Sequence, residues 1–449
     1  MSANSMVQGK GDSLGSFPEK WFGRFFAIWT GQAFSLVGSQ LVQFALVWYL
    51  TIQTGSATVL AVATMAAMLP QILLSPVAGA YVDRWKRRHV MIAADGLVAI
   101  STLALVALFA LGAVEIWEIF VVMFVRSCFT AFHWPASQAA TTMLVPERHL
   151  ARVAGFNQSL MGFAGILAPP LGAVLIAFLP MQWVLSVDII TAIIAILPLL
   201  VIRFPEPAAN VGPSQGIMAD MKEGLRFIRS WRGAVLLIVS FMVLNMLISP
   251  AFSFIPILVL DHFHGGAIDF ASLEVMSGIG MIAGGIALGV WGGTKRKIVA
   301  VMASCSLAGV AVTLLAFVPS NGILLAMVLL LFIGVMMPIL NGSVMALMQC
   351  SVPPGMQGRV FALLGSLAMA AAPVGLAIGG PVADLVGILP WFIISGVPMV
   401  FIGVGSFLIP SIMNIEDPAN CPVVEELESK APGQTSEREP EHEREANSK

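Results

Sequence analysis

The sequence contains few charged residues. Only 11% of its 449 residues are Asp, Glu, Lys or Arg, against about 25% in an ordinary soluble domain. This deficit excludes a soluble enzyme of normal composition and an intrinsically disordered chain. The net charge of −2 offers no basic surface to DNA or RNA, so nucleic acid is not an expected partner. The cysteines are too few and too scattered for a disulfide framework or a zinc site; they are Cys128, Cys305, Cys350 and Cys421.

Motifs for nucleotides, metals and covalent chemistry are also missing. No Gly-x4-Gly-Lys-Ser/Thr run is present, so a nucleotide partner and ATP-driven transport are not expected. No metal-ligand cluster or nucleophile–histidine arrangement appears, and we therefore expect no cofactor, no metal and no enzymatic activity. The first twenty residues are polar and lack the apolar core of a removable signal peptide.

Long apolar runs dominate the chain, and 58% of its residues are hydrophobic. A bilayer core of about 30 Å requires about 20 apolar residues per helix, and the continuous runs do not alternate as the strands of a membrane barrel would. The sequence therefore predicts an all-α polytopic membrane protein with twelve transmembrane helices. The predicted spans are about 25–51, 56–81, 89–112, 117–142, 152–178, 182–203, 234–260, 271–292, 297–318, 322–348, 357–383 and 389–411.

The positive charges alternate between connections. Of the 23 Lys and Arg residues, eighteen lie in the N-terminal segment and the even-to-odd connections, four in the C-terminal tail, and Arg126 lies within the fourth span. The six other connections contain none. Because cationic loops stay in the cytoplasm, both termini are predicted to be cytoplasmic.

The chain divides into two similar halves. Val145-Pro146 and Arg152-Val153 recur as Val352-Pro353 and Arg359-Val360 with the same spacing, which indicates a duplicated six-helix unit. The breaker-rich connection between the halves contains a predicted amphipathic helix at 217–231. The predicted domains are a cytoplasmic segment 1–24, an N-terminal bundle 25–203, the linker 204–233, a C-terminal bundle 234–411 and a disordered acidic cytoplasmic tail 412–449.

The connection after the second span carries a recognisable motif. Gly79 is followed by Asp83 and then by Arg84, Arg87 and Arg88. This pattern resembles the loop signature of the major facilitator superfamily, with Lys86 where that signature usually has its second glycine. The resemblance implies two pseudo-symmetric six-helix bundles, and a latch around Asp83 that stabilises the outward-open state. The alternative is that these charges only determine topology.

The fifth span is similar to the antiporter signature of the same superfamily. Gly155, Pro169 and Gly172 have the signature spacing, and alanine replaces glycine at three other positions. The resemblance places this helix at the interface between the halves, where Gly280-x3-Gly284 of the eighth span is a candidate partner. Generic helix packing by small residues is the alternative.

Within the superfamily, the sequence resembles most the bacterial macrolide-efflux branch, which also resembles siderophore exporters. The residues that carry this resemblance are Val82 to Arg88, Phe132 to Ala136, Val145 to Arg148 and Asp220 to Arg229.

Four charged residues lie inside predicted spans, away from the terminal residues of each span, where their cost makes each a candidate for function. They are the proton-coupling candidates Arg126, Asp188, Asp95 and Glu274. Arg126 matches the fourth-helix arginine that the superfamily associates with proton coupling, and Asp188 has a compatible depth for pairing with it. Burial raises the proton affinity of a carboxylate and a neighbouring arginine lowers it, so a changing pair can load and release a proton. The alternatives are a structural ion pair, an Asp95 that belongs to the Asp83 network, and a Glu274 at the outer aqueous edge.

Polar side chains recur within the spans and should face protein or water rather than lipid. The candidates for a cavity are Gln32, Ser39 and Gln43 of the first helix, His133 of the fourth and Asn245 of the seventh. Helices 1, 4, 7 and 10 are expected to line the substrate path. His133 is more consistent with a packed or hydrogen-bonded residue than with a proton relay.

These features predict a secondary transporter of the bacterial cytoplasmic (inner) membrane. The expected activity is proton-coupled efflux of a drug-like or amphipathic molecule such as a macrolide. A siderophore exporter, a proton-coupled importer and a non-transporting membrane sensor remain alternatives. The expected partners are the substrate, protons and the lipid bilayer, and the chain is expected to act as a monomer.

Overall fold

A computed structural model describes residues 21–202, 225–352 and 357–417. Within these ranges twelve helices are long and apolar enough to cross a membrane, which confirms the predicted fold class. The helices are α1 (Trp21–Thr54), α2 (Ala57–Arg84), α3 (Arg87–Leu111), α4 (Ile116–Leu144), α5 (Glu147–Phe178), α6 (Met181–Val201), α7 (Arg232–Ser253), α8 (Ala267–Trp291), α9 (Lys297–Leu315), α10 (Ile323–Ser351), α11 in two segments, α11a (Gln357–Ala370) and α11b (Ala372–Val386), and α12 (Leu389–Gly405).

Local signals explain several helix ends. Ser56 caps the start of α2, where its hydroxyl accepts a hydrogen bond from the backbone N–H of Val59. Gly112 and Gly292 end α3 and α8 in the left-handed conformation, with φ of +63° and +72°. The eleventh span was predicted as one helix but is broken at Ala371. Pro373 explains the break, because proline has no N–H and its ring displaces the preceding helical turn.

The helices form two bundles with the same internal packing. In the first bundle α1 packs against α5 and α6, α2 against α4, and α3 against α4 and α6. The second bundle repeats each of these contacts six helices later: α7 packs against α11 and α12, α8 against α10, and α9 against α10 and α12. The predicted duplication is therefore visible as repeated helix packing.

Two helix pairs make most of the contact between the bundles. They are α2 with α11b and α5 with α8, so α5 lies at the interface between the halves as the resemblance implied. Gly280 and Gly284 of α8 were expected to pack against α5, but they face α10. A Cβ at Gly280 would lie 2.1 Å from the Leu331 oxygen of α10. Gly278 instead meets Ile166 of α5, and Gly172 of α5 meets Phe44 of α1.

The two ends of the molecule are named here by their loops. The basic face carries the α2–α3, α4–α5 and α8–α9 connections, and the distal face carries the α1–α2, α3–α4, α5–α6, α7–α8, α9–α10 and α11–α12 connections.

Several predictions fall on residues outside the described ranges. These are the segment 1–20, most of the linker with its amphipathic helix, and the tail from 418 onward. Of the linker, residues 225–230 are helical, and Ile228 and Trp231 are buried against the second bundle.

Candidate functional site

A central cavity of about 620 Å³ lies between the two bundles. Its walls come mainly from α1, α2 and α5 on one side and α7, α8 and α10 on the other. Most lining side chains are apolar; the largest polar ones are Gln40, Gln43, Asn245, Glu274 and Asn341. The predicted cavity residues Gln43 and Asn245 therefore lie here. Glu274 also lines this cavity, whereas the alternative placed it at the outer aqueous edge.

The cavity is closed toward the distal face by contacts between the bundles. Asp384 at the end of α11b accepts hydrogen bonds from the Ser56 hydroxyl at 2.8 Å, the Ala57 N–H at 2.6 Å and the Thr58 N–H at 3.1 Å. A carboxylate at the N-terminus of α2 also complements the helix dipole. These three bonds, which we call the Asp384 latch, hold α11b against α2.

Other contacts strengthen this closure. The hydroxyls of Thr64 in α2 and Ser253 in α7 are 2.8 Å apart. The Phe270 ring of α8 stacks on Phe44 of α1 with centroids 4.8 Å apart, and on Trp48 at 5.8 Å. Aromatic and polar contacts thus join the bundles between the cavity and the distal face.

Toward the basic face the bundles separate. Most of the contact between α2 and α11 is made by α11b, the segment nearer the distal face. Along the other pair, a Cβ at Gly162 of α5 would meet Ile282, but a Cβ at Gly155, Gly285 or Gly289 would meet no described atom outside its own helix within 4 Å. The central cavity therefore opens toward the basic face.

A buried ionic cluster, the Arg126 cluster, joins four helices of the first bundle. The Arg126 guanidinium of α4 contacts the Asp188 carboxylate of α6 and the Thr102 hydroxyl of α3. Thr102 donates to Asp188 at 2.9 Å, and Ser39 of α1 donates to its other oxygen at 2.8 Å. Asp188 is only 1% exposed, so these bonds replace the water that the charges lose on burial.

A second, lateral cavity of about 200 Å³ lies inside the first bundle. Asp95 of α3 lines it and accepts a hydrogen bond from Gln32 at 3.0 Å. The His133 Nε2 atom lies 3.3 Å from Asp95, within ion-pair distance but not aligned for a hydrogen bond. Gln32, Ser39 and His133 thus share this space and not the central cavity.

The expectation that α4 lines the central cavity is wrong among the described residues. Helix α4 packs between α2 and α3, and its polar face, with Thr130 and His133 one and two turns beyond Arg126, borders the lateral cavity.

The loop motif is only partly described. The side chains of Asp83 and Arg84 lie outside the described residues. Arg87 begins α3, and the Arg88 guanidinium donates to the carbonyls of Leu199 and Leu200 at the end of α6, where a cation complements the helix dipole. At Gly79 an added Cβ would meet no described atom outside its helix within 4 Å.

The Asp384 latch could not be predicted from the sequence. Ser56 is recognisable as a helix cap from the residue type and its position. Its contact with Asp384 spans 328 residues, and no local pattern predicts such a pairing. Asn341, in the wall of the central cavity, was missed for the same reason.

Comparisons with known proteins agree with this architecture. Macrolide efflux protein A of Streptococcus pyogenes is 32% identical over 399 residues, covering 88% of this chain and 98% of that protein. Multidrug efflux pump Tap of Mycolicibacterium fortuitum is 28% identical over 398 residues, covering 84% and 94%. Among solved structures, a bacterial homologue of the iron transporter ferroportin in an inward-facing state superposes with a TM-score of 0.67 at 14% identity, covering 88% and 99%.

The sequence profile of the Major Facilitator Superfamily matches residues 28–375. That range includes the Arg126 cluster, the loop motif and most of the walls of the central cavity. With twelve spans in two repeated bundles and relatives that are efflux pumps, the chain belongs to the Major Facilitator Superfamily of membrane transporters.

Proposed function

We propose that this transporter is a proton-coupled efflux pump for drug-like or amphipathic small molecules such as macrolides. The observation that carries the proposal is the central cavity, which lies between the repeated bundles, is closed at the distal face and is open at the basic face. A cavity of this kind, at the interface of two repeats, is what alternating access requires. The names of the relatives, macrolide efflux protein A and multidrug efflux pump Tap, favour export of drugs.

The orientation of the chain in the membrane is inferred from the charge distribution. Lys and Arg in short loops keep those loops in the cytoplasm, so the basic face is the cytoplasmic face and both termini are cytoplasmic. In a bacterial cytoplasmic membrane the open cavity then admits substrate from the cytoplasm or the inner leaflet. Rocking of the two bundles would open the Asp384 latch and release substrate outside. One copy of the chain contains the cavity, both bundles and the latch, so we propose that it acts as a monomer.

The Arg126 cluster and the lateral cavity are the proposed proton-handling elements. Asp188 joins Arg126, Thr102 and Ser39, while Asp95 binds Gln32. Since Gln32 and Ser39 are both on α1, a movement of α1 changes the partners of both carboxylates. A carboxylate that loses its arginine partner and stays in a site without water takes up a proton. The movement of α1 is thereby coupled to proton transfer.

The loop motif and the α5 motif complete the proposal. Gly79, Asp83, Arg84, Arg87 and Arg88 would hold the cytoplasmic gate closed in the outward-open state, as the superfamily resemblance implies. Gly155, Pro169 and Gly172 would let α5 approach its neighbours during the transition. Gly172 already lies against Phe44 of α1.

The proposal is tested by substrate accumulation in cells. Cells expressing the chain should accumulate less radiolabelled macrolide than cells carrying the empty vector, and a protonophore should remove the difference. Dyes and siderophores tested in parallel define the substrate range. Higher accumulation on expression would indicate import, and efflux that persists with the protonophore would contradict proton coupling.

A further inference from the structure

We propose that Glu274 is the counter-ion for a positive charge on the substrate, so that the central cavity selects amphiphiles that carry a single cationic centre. The inference rests on the proposed transport function and names the chemical class of its substrate. It concerns binding alone and does not depend on the coupling ion.

Glu274 is chemically distinct within the cavity wall. Among the described residues that line the central cavity, it is the only Asp, Glu, Lys, Arg or His. No hydrogen bond or ion pair joins its carboxylate to the residues that the structure describes. Glu274 is partly accessible, and the space that its carboxylate shares is the cavity itself.

The other ionisable side chains at membrane depth have partners. Asp188 pairs with Arg126, and Asp95 is bonded to Gln32 beside His133. A carboxylate without a partner in an apolar setting is costly, and a cation is the ligand that offsets this cost. Glu274 is thus the one described acidic group of the transmembrane region that is left to interact with a ligand.

The surroundings of Glu274 suit a ligand that has an apolar body and one positive charge. Phe270 lies one turn before Glu274 on the same face of α8 and stacks on Phe44 across the interface. Aromatic rings bind both apolar surfaces and cations. The amides of Gln43, Asn245 and Asn341 can bond neutral polar groups. A volume of about 620 Å³ lies within the usual range for drug-sized ligands.

The charge balance also excludes one class of ligand. An anionic amphiphile would meet the Glu274 carboxylate with no Lys, Arg or His among the described lining residues to compensate for it. Like charges in a setting of low dielectric constant repel strongly, so organic anions should not bind.

The test measures equilibrium binding to the purified full chain in lipid nanodiscs at mildly alkaline pH. The probes are tetraphenylphosphonium, a permanent lipophilic cation, and triphenylphosphine oxide, a neutral molecule of similar shape. The variant Glu274→Gln should weaken tetraphenylphosphonium binding by about 10- to 100-fold, the range expected for a charge–charge attraction without a hydrogen bond at a partly screened site. It should leave binding of the neutral probe unchanged, which also shows that the variant is folded.

Two further variants sharpen the result. Asp269→Asn removes a carboxylate from the same helix outside the cavity and keeps an oxygen for the Gly266 N–H; it should bind both probes normally. Glu274→Gln combined with Gln43→Glu moves the carboxylate to another wall and should restore part of the preference for the cation. Equal effects of Glu274→Gln on both probes, or no effect on either, would overturn the proposal. A wild-type chain that binds neither probe and lowers no drug accumulation would instead refute the proposed function.

Discussion

At the scale of single residues, the Arg126 cluster is held by several buried polar contacts. Four helices meet there, and both oxygens of Asp188 are bonded. A buried pair contributes little net stability but is costly to break from one side. The cluster therefore holds α1, α3, α4 and α6 in one arrangement, and the proposed coupling requires a proton to change its charge.

Replacement of Arg126 tests this role. We expect Arg126→Ala to abolish gradient-driven export while counterflow, the exchange of labelled for unlabelled substrate without a gradient, persists. Counterflow requires the cavity and its rocking but no proton. Transport into inverted membrane vesicles, with and without a proton gradient, measures both activities.

The control variant is Thr142→Ala, near the end of α4 and outside both cavities. The Thr142 hydroxyl bonds only the Ala139 carbonyl of its own helix among the described residues, so both activities should remain. Unchanged export in Arg126→Ala would remove Arg126 from the coupling role, and loss of counterflow as well would indicate a purely structural role.

At the scale of helices, small residues determine which faces meet. Gly280 and Gly284 allow α8 to approach α10 within one bundle, while Gly278 contacts α5 across the interface. One helix therefore has a rigid contact on one side and a contact between the moving bundles on the other. The sequence showed that α8 is rich in glycine, but neighbouring glycines on a helix face different directions, and only the packing shows which face each partner occupies.

Two alanine substitutions in α8 distinguish a glycine that packs against α10 from a glycine that has open space beside it. Gly280→Ala would place a methyl group 2.1 Å from the Leu331 oxygen, whereas Gly285 has open space. We expect Gly280→Ala to lower the thermal unfolding temperature of the purified protein, since α8 and α10 must move apart. Gly285→Ala should be neutral or stabilising by up to about 1 kcal/mol, the difference in helix propensity. Equal unfolding temperatures for both variants would contradict the packing described for Gly280.

The Asp384 latch is a second feature at this scale. We expect Asp384→Ala to shift the molecule toward opening at the distal face by about tenfold or more in population, because charge-assisted hydrogen bonds contribute about 1.5–3 kcal/mol. Spin labels on Ile52 and Leu385, both exposed near that face, report the opening as a longer distance between the labels.

Asp261→Ala is the matched control, because Asp261 is exposed on the same face and bonds no partner across the interface among the described residues. It should leave the distance distribution unchanged. A distribution in Asp384→Ala that matches the wild type would show that the latch does not keep the distal face closed.

At the scale of the whole molecule, the two bundles repeat the same packing and the cavity lies between them. The bundles differ in their polar groups: the first contains the Arg126 cluster, while α8 of the second supplies Glu274. Duplication thus accounts for the architecture, and in the proposed function the divergence of the halves separates proton handling from substrate binding.

The proposed orientation is tested with reporter fusions. Alkaline phosphatase fused after Glu115 or Ser320, at the distal face, should be active because that enzyme folds outside the cytoplasm. A fusion after Gly293, at the basic face, is the control and should be inactive. Inactive fusions after both distal positions would contradict the proposed orientation, and with it the opening of the cavity toward the cytoplasm.

The sequence by itself determined the number of spans, their approximate bounds, the duplication and the family. Each span must satisfy its backbone hydrogen bonds within its own helix and present apolar side chains to lipid. The number and bounds of the spans are therefore encoded in consecutive residues. Arg126, Asp188, Asp95 and Glu274 could be selected as candidates for the same reason, since ionisable residues stand out in apolar runs.

Only the tertiary structure decided which of these residues meet. It joined Asp384 to Ser56, separated the lateral cavity from the central one, and left Glu274 in the central cavity without a partner among the described residues. These outcomes depend on the rotation of each helix about its axis and on contacts between distant parts of the chain. Neither leaves a local pattern in the sequence, because the same apolar face can pack against several neighbours at similar free energy.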